Sequence, residues 1–125
     1  MNRRVRALGA LLERHGVQPV GDGFLDCICP REEAEPFLRG LRSLGVAVSG
    51  YSLWQYAASE EEPVCGMGGP RCRYREGWYS ELQGGLYTFR SLREMERLLD
   101  EEENRLQCTL SPGFWLVVPE DGRCV

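Results

Sequence analysis

The sequence predicts an α+β fold: a single domain over residues 1–125, with about three helices packed on one mixed or antiparallel β-sheet. Three observations predict it. Apolar residues recur at helical spacing in three separate stretches, each bounded by a capping or terminating signal. Between them lie apolar and aromatic runs of strand length, punctuated by glycine and proline. The length of 125 residues supports one core but not two, and 42% hydrophobic with 27% charged residues is a globular composition, which excludes wholesale disorder.

Val5, Leu8, Leu11 and Leu12 share a helical face, and Gly16 follows where a left-handed cap belongs, so a first helix is expected over residues 3–15. Gly21-Asp22-Gly23 is a turn signal between residues 17–20 and 24–29, which read as a short hairpin; Pro19 confines its first strand to a sheet edge. Pro30 and Pro36 bracket Glu32, Glu33 and Glu35 at the start of a second helix, where carboxylates complement the macrodipole. Phe37, Leu38, Leu41 and Leu44 supply its apolar face, and Gly45 ends it. Residues 46–56 read as a strand, which makes residues 24–54 a strand-helix-strand crossover unit. Periodicity is lost over 57–73, and strand character returns over 74–90, interrupted by Gly77 and Gly84-Gly85. Ser91 and Glu94 form a capping box for a third helix with Leu92, Met95, Leu98 and Leu99 as its buried stripe, fading near Asn104. Ser111-Pro112-Gly113 reads as a turn before a final, central strand over 114–118.

Composition removes several kinds of chemistry. All 15 cations are arginine, so Schiff-base lysine, a P-loop lysine and a lysine general base are excluded; one histidine, His15, excludes a histidine pair. The absence of lysine, the lone Ile28 and only two asparagines point to a bacterial genome of high GC content. Arg3, Arg4 and Arg6 precede an apolar run, but Glu13 and Arg14 cut it off too soon for a signal peptide. No later run approaches a membrane span, so a soluble, cytoplasmic protein without a membrane partner is expected. The six cysteines then read as free structural thiols.

Cys27-x-Cys29, with Cys65 and Cys72 to complete it, fits no standard zinc framework, and neither a metal nor a cofactor is expected. Gly66-Met67-Gly68-Gly69-Pro70 is followed by Arg71 and by no Gly-Lys-Ser/Thr, so it matches neither the dinucleotide fingerprint nor a P-loop. It reads as a tight connection that uses glycine's positive φ angles.

The segment after that loop holds the candidate partner-binding residues: Arg71, Arg73, Tyr74, Arg75, Trp78 and Tyr79. If extended, it projects its three arginines from one face, with Cys72 and Tyr74 on the other. Arginine, tyrosine and tryptophan are the residue types enriched at binding hot spots, and aligned guanidinium groups suit bidentate recognition of carboxylate or phosphate. The competing reading is a solvated strand face whose arginines pair with Glu60, Glu61, Glu62 or Glu76. Arginines interleaved with aromatics also describe single-strand binders, but a net charge of −4 argues against a nucleic-acid partner. Tyr51, Trp54 and Tyr56 are assigned to the core. The acidic run from Asp100 to Glu103 lies at a helix end where the dipole disfavours it, and reads as a solvated tail or a contact for a basic partner. His15, in the last helical turn, reads as structural.

No Gly-x-Ser-x-Gly, HExxH or acidic metal motif occurs, and no catalytic residue is assigned. In general character the chain resembles bacterial toxin-immunity proteins: compact, single-domain, charged and without catalytic apparatus. That resemblance implies a cytoplasmic binding or inhibitory module whose partner is a protein, a toxin. The rival reading is a small-anion-binding or metal-dependent enzyme centred on residues 65–79; a third is a homodimer joined through the aromatic segment.

Overall fold

The computed structural model describes residues 3–20, 26–59, 71–74, 77–81 and 92–117. Along the chain these form α1 (Arg3–Arg14), β1 (Gln18–Val20), β2 (Asp26–Ile28), a 3-10 turn (Arg31–Glu33), α2 (Ala34–Leu44), β3 (Ala47–Ala57), β4 (Arg71–Tyr74), β5 (Gly77–Glu81), α3 (Leu92–Leu106) and β6 (Leu110–Val117). The six strands lie in the order β1-β2-β6-β3-β5-β4, and every neighbouring pair is antiparallel. Of the two sheet types expected, the antiparallel one is found. Its last strand in sequence is central, and Pro19 sits in an edge strand, as a residue without an N–H donor should. β2 and β3 both pair with β6 and run parallel to each other across it. The expected strand-helix-strand unit is therefore split by the insertion of β6.

Two helices end as their glycines require. Gly16 and Gly45 have φ of 65° and 72°, and the next residues close the helix: Val17 N donates to Leu12 O (2.8 Å) and Val46 N to Leu41 O (3.0 Å). Gly45→Ala puts a Cβ into that left-handed conformation and is expected to lower stability by about 1 kcal/mol. Equilibrium urea unfolding reads the change. α3 begins at Leu92, one residue after the expected cap Ser91, which lies outside the described residues.

The sheet buries both faces, against different things. On one face Cys27, Cys29, Leu53, Leu110, Phe114 and Leu116 pack with Leu8, Leu11 and Leu12 of α1, Phe37 and Leu41 of α2, and Met95 and Leu99 of α3. On the other, Ile28, Trp54 and Tyr79 bury each other, with Val20, Tyr56 and Cys72 against them. Among the described residues, no helix contributes to that second cluster. Its members instead come from strands at both ends of the sheet, and Cys72 Sγ of β4 lies 4.0 Å from the Pro19 carbonyl oxygen of β1. The sheet has curled until its two edges approach, as an almost closed barrel with the aromatic cluster inside and the helices outside.

The curl overturns one sequence reading. Ser111-Pro112-Gly113 is no turn; all three residues lie inside β6. Pro112 is tolerated because its carbonyl already faces the β2 side, where it accepts from Cys29 N at 2.9 Å. In an antiparallel strand a residue's N–H and C=O point the same way, so the missing donor also faces the place where the chain leaves the sheet for Pro30 and the 3-10 turn. Gly113 is needed for space. It faces the barrel interior, where an added Cβ would run into Ser52 Oγ and lie 2.6 Å from Trp54 Nε1.

Candidate functional site

The segment expected to bind a partner is not one extended run. It is a hairpin, with Cys72 opposite Tyr79, Arg73 opposite Trp78 and Tyr74 opposite Gly77. The expected alternation survives within β4. Tracing the register from Leu53 through Ala57 to Trp78 and Arg73 places Arg73 and Trp78 on the outer, helix-bearing face, and Cys72 and Tyr79 on the inner one. Arg73 is exposed and Trp78 half-buried, whereas Tyr79 is buried, only 7% exposed. The six residues singled out from sequence thus divide. Tyr79 belongs to the barrel interior, where Ser111 Oγ donates to its hydroxyl at 3.3 Å, and it anchors the hairpin instead of facing outward. Arg71 stands opposite Ser80 in the register. Arg75 lies outside the described residues, as do the glycine loop and Glu60, Glu61, Glu62 and Glu76.

Arg73 makes no ion pair among the described residues. On the same outer face, beside the hairpin, the buried Oε1 of Gln55 has no hydrogen-bond partner among the described residues. The described strand residues that pack beneath the helices come from β2, β3 and β6, so the outer face of β4 and β5 lies beyond the helical layer.

Cys65 and Cys124 lie outside the described residues; among those described, the two core thiols and the histidine are already partnered. Cys27 Sγ donates to Phe114 O at 3.4 Å and Cys29 Sγ to Pro30 O at 3.2 Å, both inside the helix-side core. Burial pushes both thiols far up, and the charge of Asp26 beside Cys27 adds to it. Burial, with Asp26 again, also raises Cys72. A nucleophilic cysteine needs the opposite shift. His15 Nδ1 lies 2.8 Å from Glu33 Oε1, and its ring packs edge-on to Phe37, tying the end of α1 to α2. Among the described residues no three histidines, cysteines or carboxylates come together as a metal set would.

A second region had no signal in the sequence. At the mouth of the barrel, where β2 and β3 end and β6 begins, a cleft of about 430 Å³ is lined by Tyr56, Tyr79, Leu110 and Ser111 on its buried side. Arg31, Glu32 and Glu103 line its solvent side. The acidic run of α3 stays exposed at Asp100 and Glu101, as a solvated run would, but two of its acids are tied to another part of the chain. Asp100 and Glu103 both take Arg31 as ion-pair partner, Glu103 at 2.9 Å, and Glu103 Oε2 also accepts from Leu110 N at 2.9 Å. Arg31 further donates to Glu96 O at 3.0 Å. The run therefore fastens the 3-10 turn after β2 and the start of β6 to the last turns of α3. Only proximity across 69 to 72 residues of chain creates this arrangement, which no local motif announces. No helix of the described residues is long and apolar enough to cross a membrane. Neither protein-family models, nor curated proteins, nor solved structures match this chain.

Proposed function

We propose that this protein is a binding module, working in the cytoplasm, that docks a protein partner through the outer face of the β4–β5 hairpin. One observation carries the reading: Arg73 and Trp78 stand side by side, opposite each other in the ladder, beyond the helices, with Arg73 exposed. An exposed guanidinium next to a half-buried indole is the pairing that dominates interface energetics when a partner completes the burial. The chemistry fitting it is a carboxylate-bearing protein surface, the kind of target a compact inhibitor of the toxin-immunity type engages. The enzyme reading centred on residues 65–79 has less support, because Cys72 is held as a neutral thiol and Tyr79 faces the barrel interior, away from the outer face of the hairpin. Free thiols at Cys27, Cys29, Cys72 and Cys108 suit a reducing compartment.

Affinity capture from the native cell extract tests it, comparing the wild-type chain with Arg73→Glu, Trp78→Ala and the control Arg97→Ala on α3. A true partner is retained by wild type and control, and its binding falls by about tenfold or more in either hairpin variant. Arg73→Glu should melt within about 0.5 kcal/mol of wild type, since Arg73 is exposed. Equal retention by all four proteins overturns the proposal, and so does unfolding of Arg73→Glu.

A further inference from the structure

We propose that the cleft at the barrel mouth is a second binding site, for a small organic cation carrying an aromatic or alkyl group. Its volume of about 430 Å³ suits a ligand of metabolite size. Two features fix the chemical class. The first is charge: Asp100 and Glu103 both pair with the guanidinium of Arg31, and Glu32 lines the cleft as a further carboxylate. Arg31 is already engaged by Asp100, Glu103 and the Glu96 carbonyl, so it has little left with which to attract an anion. Glu32 lines the same cleft, is exposed, and makes no ion pair or hydrogen bond among the described residues. Among the described residues that line the cleft, two carboxylates, Glu32 and Glu103, face one guanidinium, Arg31, which leaves the lining one charge negative.

The second feature is the buried side. Tyr56 and Tyr79 present two rings with centroids 5.3 Å apart, tilted by 57°. The half-buried Tyr56 ring, backed by Tyr79 from the interior, and the carboxylate of Glu32 line one cleft, so an ammonium group seated there is attracted by the ring quadrupole and the carboxylate together. The fold takes care to place Tyr56. Its ring lies so close over Gly77 that any Cβ there would collide with it, with the nearest ring carbons and the hydroxyl all inside contact distance. Its backbone N donates to Thr109 O at 3.1 Å, which joins the end of β3 to the start of β6 at the cleft. The site shares no outward-facing residue with the hairpin face, so it stands or fails independently of the docking proposal.

Benzyltrimethylammonium is the probe, with benzyl alcohol as the neutral counterpart and phenylacetate as the anionic one, each titrated into the 15N-labelled chain. The expected result is saturable amide shifts at Arg31, Glu32, Thr109, Leu110 and Ser111 with the cation, weakened by added salt, and weaker or absent shifts with the other two. Glu32→Gln should reduce the cation's affinity by about fivefold. Gly77→Ala, by displacing the Tyr56 ring, should abolish the cleft shifts, provided its spectrum shows it folded. Equal or tighter binding of benzyl alcohol or phenylacetate overturns the proposal. Unchanged affinity in Glu32→Gln, or no shift at the cleft with the cation, overturns it equally.

Discussion

Gly113→Ala is expected to destabilise the protein by about 3 kcal/mol or more, out of proportion to the single methyl it adds. Gly113 lies in the central strand, opposite Ser52 of β3 and Ile28 of β2, with its α-carbon facing the barrel interior. The space there is already taken. Trp54 Nε1 donates to Ser52 Oγ at 2.9 Å, and Ser52 Oγ to Asp26 Oδ1 at 3.5 Å. The new Cβ would overlap Ser52 Oγ, so the hydroxyl must rotate away, taking from the Trp54 indole N–H its acceptor in a buried place. Trp54 is fully buried and cannot retreat without opening the curled sheet. For a domain of this size the melting temperature should fall by about 10 °C. Ser52→Ala removes the colliding oxygen, so adding it to Gly113→Ala should recover part of the loss. A melt of Gly113→Ala indistinguishable from wild type would show that the inner face is not packed as described.

A steep loss of stability above pH 9 is the second expected result. Cys27 and Cys29 are wholly buried, and burial raises both thiols from the ordinary value of 9.0. In the unfolded chain they release protons near that value, whereas the folded chain keeps them. The folded state then holds more protons than the unfolded one, so stability is complete below pH 9 and falls as pH rises past it. Each thiol contributes a slope of about 1.4 kcal/mol per pH unit, and the pair about 3 kcal/mol. Cys72 and Tyr51, also raised by burial, act in the same direction. The absence of lysine removes a titration that usually obscures this range. Urea unfolding between pH 7 and 10.5 measures the effect. Cys27→Ala/Cys29→Ala should flatten the decline by close to two protons, whatever cavity cost it carries at neutral pH. Parallel declines in the two proteins would mean that the thiols reach water in the folded state.

What was legible in the sequence was whatever is decided locally. Gly16 and Gly45 end their helices because positive φ is cheap only for glycine, and that preference is written in one residue. Pro19 at an edge and the short hairpin from β1 to β2 follow from the same local rules. Cys27 and Cys29 fall on one face and Ile28 on the other, as alternation requires. The failures share a cause. Pro112 and Gly113 carry turn chemistry, yet one is excused by where β2 ends and the other is demanded by Trp54, and both reasons sit far away in sequence. The pairing of β4 with β5, which makes one basic run a hairpin, moved Tyr79 from the candidate surface to the interior. The pairing of Asp100 and Glu103 left no local sign because Arg31, their partner, lies some seventy residues earlier. The cleft exists only because the sheet curls, and curl is a property of six strands together.

The most direct test of how this protein works is amide hydrogen exchange on the complex with a captured partner. Protection is expected in β4 and β5, at Arg73 and Trp78 above all, with the amides of Arg31, Glu32 and residues 109–111 unchanged. Protection confined to the barrel mouth or to the helices, with the hairpin exchanging as it does in the isolated chain, would contradict the account.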